Sequence, residues 1–257
     1  MGDNCKFYGL NTIDHNASYS FTSANTALAS YLYDNNYDTK VVSSGSDDVT
    51  PEVFIVDYAA PVTMSSIHLN SNAKNFTIDY SDDDQGSWTN FSSAISETVN
   101  ASEYNFYSFT EVSGVTDLRL TMNTTQTVDA EKSVGQLRAF NLIGEVSENP
   151  SNVENPYMED SIIHERINTY VQFSRKINMF LSFTDASVAD VAIFRALKDR
   201  FSEFYVYLNG GVQTFTQEPL RPEDIFLVNY VNEFSPRLKQ GWLIGAGTEI
   251  ELELLGV

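Results

Sequence analysis

The sequence predicts a mainly β protein, an N-terminal jelly-roll β-sandwich followed by a smaller α+β domain. Three observations lead there. Short β-branched and aromatic runs recur at intervals of roughly ten to twenty residues through the first part of the chain. A polar segment bearing Pro150 and Pro156 then interrupts them. One amphipathic helical pattern, set among further strand-like runs, follows that break.

The strand-like runs come first. Residues 52–57 and 66–69 are apolar or β-branched and closed by polar or proline-containing segments. Residues 75–81 alternate with period two, which puts Phe76, Ile78 and Tyr80 on one face of a strand. A strand is expected around Trp88, with others at 105–109, 118–122 and 137–143. Beyond a turn near 24–32 there is no helical pattern here, so two antiparallel sheets packed face to face are favoured, with a closed barrel as the alternative that strand spacing leaves open. Asp82, Asp83, Asp84, Gln85 and Gly86 read as a hairpin turn: Asp side chains bond nearby backbone N–H groups, Gly accepts positive φ, and Trp88 then supplies apolar surface to the core. A calcium or ligand loop is the other reading of this turn. His68, between Ile67 and Leu69, is expected to face a sheet surface in a structural role.

The break defines the expected organisation: residues 1–147 as the sandwich, 148–156 as linker, and 157–257 as an α+β assembly domain. In the last of these, Asp185 reads as an N-cap, and Val188, Val191, Phe194, Leu197 and Phe201 trace one apolar helical stripe. Asp190 lies early, and Arg195, Lys198 and Arg200 lie late, in accord with the helix dipole. Strands are expected at 169–174, 177–183, 203–208, 225–231 and 250–254, with a turn at 209–211. The terminal run would either pair internally or offer an edge to a neighbouring subunit.

Composition narrows the function classes. With 35 acidic against 15 basic residues and a formal charge of -20, binding to nucleic-acid phosphate or an anionic membrane surface is opposed. Cys5 is the only cysteine, which excludes an intrachain disulfide and any cysteine-rich zinc site. The opening residues carry no apolar signal segment, and no apolar run long enough for membrane insertion occurs, so neither ordinary secretion nor a membrane anchor is indicated. Three histidines, His15, His68 and His164, fall outside any His-Glu-x-x-His pattern, there is no Gly-x-Ser-x-Gly, and 241–247 lacks the Lys-Ser/Thr ending of a phosphate loop. No enzyme is expected.

The run of residues 20–146 resembles the discoidin, or coagulation factor 5/8 type C, family. The best-matching stretch is 74–89, similar to that family's strand, acidic turn and Trp-containing strand; 51–57, 61–69 and 135–144 resemble neighbouring strands. The resemblance implies a galactose-binding-like jelly roll whose loops at one end contact sugars, with Tyr31, Tyr33, Tyr37, Trp88, Tyr104 and Tyr107 as the available rings. It also implies a calcium loop at 33–39, with Asp34, Asn36 and Thr39 as ligands and Gln136 where calcium-bearing relatives place Glu. Gln136 brings no charge and Asn35 replaces the loop glycine, so calcium is optional and no cofactor is required; Glu145 would be the acid if the closing strand were shifted. Residues 237–250 and the terminal strand are similar to domains of tailed-bacteriophage tail and baseplate proteins. Together the resemblances imply a virion structural protein, a homo-oligomer partnered by other tail subunits, whose discoidin-like module bridges subunits or adheres to host surface glycan. The alternative is a free carbohydrate-binding protein outside a virion.

Overall fold

The computed structural model describes residues 5–34, 36, 38–45, 47–91, 95–147, 152–154, 178–199, 203–207, 225–230, 237–238 and 248–256. The chain is mainly β, a β-sandwich and a small α+β region, and divides into two units. One is Asn11–Leu142; the other combines Met1–Leu10 with Ile143–Val257.

The first strand, β1 (Lys6–Tyr8), precedes the sandwich. The sandwich comprises β2 (Ser18–Phe21), a 3-10 helix (Thr26–Leu32), β3 (Val41–Val42), β4 (Glu52–Ser71) and β5 (Ala73–Ser81). It continues with β6 (Thr89–Asn90), β7 (Ser96–Glu97), β8 (Tyr104–Thr125) and β9 (Ser133–Phe140). The strands run in the order β3-β9-β4-β8-β5-β6, with β2 beside β4 and β7 beside β5. Every pairing is antiparallel.

Two long strands build both layers. The early half of β4 pairs Glu52–Asp57 with Met122–Asp117, and its late half pairs Ser66–Asn70 with Ser108–Tyr104. Between them the register shifts three times, at Asp57/Val62, Val62/Met64 and Met64/Ser66. Extra residues on one strand bend it and raise the local twist, so the pair folds over and faces itself. Phe54, Val56, Ile67, Leu69, Phe76, Ile78, Leu118, Leu120, Leu137 and Ala139 are buried in the one core that results. The alternation expected at 76–80 is present: Phe76 and Ile78 are fully buried and Tyr80 packs against the same cluster. Each fully buried Val, Leu, Ile or Phe among these contributes about 1.5–3 kcal/mol relative to exposure. At the 3-10 helix, the Asn25 side chain accepts from the Ala27 N–H at 3.0 Å, and Ala29 and Leu32 turn into the core.

His68 lies opposite Arg138 in the β4–β9 register and is completely buried. Burial, with the Arg138 guanidinium adding to it, holds the imidazole well below its ordinary pKa. A base depressed in the fold is neutral there and takes up its proton only on unfolding. The stability this represents is complete above about pH 6.5, where a free imidazole titrates, and is lost as pH falls below that. Between pH 7.5 and 5.5 the protein should lose about 1.4 kcal/mol more than the His68→Gln variant loses, measured by denaturant unfolding at both pH values. Equal losses would contradict this.

The other unit continues with β10 (Leu142–Glu145), β11 (Asn152–Glu154), β12 (Asn178–Ala186), α1 (Val188–Asp199), β13 (Phe204–Tyr207), β14 (Ile225–Tyr230), β15 (Arg237–Leu238) and β16 (Thr248–Gly256). Its sheet runs β10-β1-β13-β14-β16-β12-β11, with β15 also on β16. Phe7 of β1 stands opposite Val206 of β13, and Cys5, Phe7, Val146, Phe183, Phe194, Phe204, Val228 and Leu252 share one core. Lys6–Tyr8 and Ile143–Val146 thus belong to this unit, whereas the sequence reading placed them in the sandwich. A three-residue strand has no periodicity to reveal its partner, and this one's partner lies some two hundred residues on.

The helix starts differently from expectation. Asp185 lies within β12, and Ser187 is the cap: its hydroxyl accepts from the Asp190 N–H at 3.2 Å while the Asp190 carboxylate accepts from the Ser187 N–H at 2.7 Å. This is a capping box with Asp in the reciprocal position. Asp190 also accepts from the Ser147 N–H and hydroxyl, which tie the end of β10 to the helix. Phe194 and Leu197 of the predicted stripe are buried, Val191 packs beside them, and Val188 at the first turn is 55% exposed. β16 pairs with β14 on one side and β12 on the other, so the terminal run is an internal strand and not a free edge. The expectations at 169–174, Phe201, 209–211 and 239–247 lie outside the described residues.

Candidate functional site

Three polar arrangements stand out in the sandwich, and the first gathers all four expected calcium ligands. Asp34 Oδ1 accepts from the Asn36 N–H at 2.9 Å, and Thr39 Oγ1 donates to Asp34 Oδ2 at 2.6 Å and to the Asn36 carbonyl at 2.8 Å. Gln136 reaches this loop from β9, but with its nitrogen. Nε2 donates to Asp34 Oδ1 at 2.8 Å and to the carbonyls of Asn36 and Tyr31, both at 3.1 Å. Its Oε1 is turned to Arg138, accepting from Nε at 3.2 Å and Nη2 at 3.0 Å.

The chemistry of the donors fixes that orientation. A guanidinium only donates, and a carboxylate and two carbonyls only accept, so the amide satisfies all its neighbours in one direction alone. Turning Oε1 inward to a cation would press the amide N–H groups against Arg138. The set does not fit calcium as it stands: an N–H donor occupies the place where a ligand oxygen and its charge are needed. Gln136 is buried, so the mismatch cannot relax into solvent.

The second arrangement is the turn after β5, and it departs from the sequence reading in two ways. Positive φ falls on Asp84 (56°) and Gln85 (65°), not on Gly86. Gly86 is needed for space instead, since a Cβ there would lie 2.9 Å from Asp83 Oδ2. Asp83 organises the turn, accepting from the Ser81 hydroxyl at 2.7 Å and from the Ser87 N–H and hydroxyl, both at 2.8 Å. Those bonds, the Ser81 hydroxyl foremost, hold its carboxyl below the usual range. Trp88 does not enter the core. Its ring is partly buried with the Arg119 guanidinium 4.3 Å above its centroid, and Arg119 also pairs with Asp79 at 2.8 Å.

This turn completes an acidic group that sequence reasoning missed. Asp57 and Asp117 are directly opposite each other on β4 and β8, and Asp84 joins them from the turn. One carboxylate oxygen from each lies within 4.8 Å of the others, a group that could hold a metal ion. Burial, then the charges of Asp117 and Asp84, push the Asp57 pKa up. The available signal was the alternation of β4, which puts Asp57 on the face away from Phe54 and Val56.

The third is a polar pocket of about 120 Å³ at the ends of β2, β3, β4 and β9. Thr22, Ser43, Ser44, Asp47, Thr50 and Lys132 contribute to its lining. Glu52, 3% exposed, anchors the wall by accepting from the Ser23 N–H and hydroxyl and from the Ala24 N–H. The Lys132 ammonium, 2% exposed overall, donates to the Asp47 carbonyl. The 47–50 loop is clamped to the 125–129 loop: Asp48 accepts from the Thr125 and Asp129 N–H groups, and Asp129 accepts from the Asp48 N–H.

The candidate rings are placed variously. Tyr31 and Tyr33 pack on the core, Tyr33 also stacking on Tyr19 at 6.0 Å. Tyr107 sets its edge against Phe76 and donates to Glu97, Tyr104 is partly buried in β8, and Tyr37 lies outside the described residues.

No family model matches the sequence. No curated protein matches it either. Among solved structures, chitosan-binding module 1 derived from a chitosanase/glucanase of Paenibacillus sp. IK-5 is similar at 20% identity and a TM-score of 0.44, covering 51% of this chain and 99% of that one. Module 2 of the same enzyme, in complex with chitotriose, is similar at 20% identity and 0.42, covering 49% and 97%. A putative alpha-L-fucosidase from Bacteroides thetaiotaomicron is similar at 11% identity and 0.44, covering 52% of this chain and 29% of that one.

Proposed function

We propose that residues 11–142 form a non-catalytic carbohydrate-binding module, and that the pocket lined by Lys132 is where sugar hydroxyls dock. The observation that carries this reading is the pocket's mixture of groups. A sugar hydroxyl both donates and accepts, so its site needs partners of both kinds at fixed positions. Here the serine and threonine hydroxyls can do either, Asp47 accepts, and a buried ammonium has three donors, of which the Asp47 carbonyl takes one. The bonds between the 47–50 and 125–129 loops fix the rim before any ligand arrives, which lowers the ordering cost of binding. Val49, on that rim, is 88% exposed and offers apolar surface to the C–H face of a ring. The resemblance of 20–146 to discoidin-like domains points the same way.

The test is a glycan array on the full chain, followed by titration calorimetry of the best glycan against wild type and Lys132→Met, which keeps the aliphatic stem. Losing a charge-assisted hydrogen bond of about 1.5–3 kcal/mol should weaken binding by roughly ten- to a hundredfold. No glycan bound at millimolar concentration, or equal affinity in the variant, would remove the proposal.

A further inference from the structure

We infer that Asp57, Asp84 and Asp117 form a divalent-cation site, of the hard, oxygen-preferring class to which calcium and magnesium belong. It is separate from the 33–39 loop and from the Lys132 pocket. The first observation is convergence: three carboxylates from three segments bring one oxygen each within 4.8 Å of one another. The second is an orphan. Asp117 is 0% exposed; its Oδ1 accepts from Gln85 Nε2 at 2.9 Å, while its Oδ2 is buried with no hydrogen-bond partner.

A buried carboxylate oxygen without a donor is expensive, and a like charge directly across an antiparallel pair adds to that. Among the described residues the ordinary remedies are lacking. Arg119 follows two residues after Asp117 on the same face of β8, but its guanidinium is engaged by Asp79 and lies over Trp88. Among the described residues no lysine or arginine is ion-paired with any of the three. A cation supplies what the arrangement needs: it neutralises the group and brings a partner to a buried carboxylate that lacks one at Oδ2. Three carboxylate oxygens, with water completing the shell, are ligands that hard divalent ions take in preference to zinc or copper. Asp57 is partly exposed and Asp84 exposed, which leaves an approach for the ion.

The test uses the full chain, stripped with chelator, with calcium chloride or magnesium chloride alone as the probe. Titration calorimetry should show saturable binding of one ion, and the melting temperature should rise by several degrees as the site fills. Asp117→Asn should abolish both signals while remaining folded, since it removes a repulsive charge. Asp34→Asn, in the other loop, should leave both unchanged. Neither ion binding up to 10 mM (roughly the weakest extracellular calcium sites), binding that survives Asp117→Asn, or binding lost in Asp34→Asn would each overturn the inference. No sugar enters the experiment, so its outcome is independent of the pocket.

Discussion

Replacing Phe7 by alanine should destabilise the unit built from residues 1–10 and 143–257 by about 3–5 kcal/mol and leave the sandwich's own stability unchanged. Phe7 is completely buried, its ring edge-on to Phe194 of α1 at 5.8 Å and to Phe204 of β13 at 6.1 Å. Truncation removes those contacts and leaves a cavity whose walls are a helix and a sheet, neither free to close it. The effect is expected in a unit whose other members begin more than 130 residues later, because β1 is one of its interior strands. Hydrogen exchange followed by mass spectrometry locates the loss. Protection should fall in 178–186, 188–199 and 204–207 and hold in 52–57, 76–81 and 117–122. An equal fall in both sets would contradict the division of the chain.

The second large effect is expected at Gln136→Glu. In the wild-type chain one amide hydrogen-bonds to three oxygens and serves as the acceptor for Arg138. A carboxylate keeps the acceptor but loses the donor, and places a second negative charge against Asp34. Without metal this should cost about 1–3 kcal/mol, the usual range for stranding a buried polar group. The same substitution assembles an oxygen cage of Asp34, Glu and the carbonyls of Tyr31 and Asn36, with Thr39 beside it, which suits calcium. Its deficit relative to wild type should therefore shrink as calcium is added. Scoring both chains through one calcium series cancels any contribution from the Asp57, Asp84 and Asp117 group. A deficit that stays constant would show that the loop cannot adopt a metal-binding form.

How much of this was legible in the sequence depended on the range of the interaction concerned. Phe76, Ile78 and Tyr80 announced their common face because alternation is local, and Phe194 and Leu197 did so through helical spacing. Trp88 did not, because its environment depends on where Arg119 lies in β8, a non-local pairing. The acid group was hidden for the same reason: Asp57, Asp84 and Asp117 meet through strand register and the turn after β5. The four residues that the family resemblance named in the 33–39 loop and β9 lie together, but the direction of the Gln136 amide was not legible. The clue was Arg138, two residues away on the same face of a strand, where it captures the amide oxygen. The boundary near residue 148 followed two prolines, yet the sheet of the second unit claims residues on both sides of the sandwich.

That discontinuity bears on the order in which the chain can acquire structure. During synthesis the sandwich is complete once residue 142 has emerged, whereas β1 must wait for β13 before it can pair on that side. The delay is not wasted: inside the finished sandwich Thr12 donates its N–H to the Ala139 carbonyl at 2.9 Å, holding the two chain ends together. Closing a flexible loop of that length would otherwise carry an entropy cost of roughly 4 kcal/mol. An early-folding insert meets that cost in advance and hands the later unit two neighbouring strands already within reach.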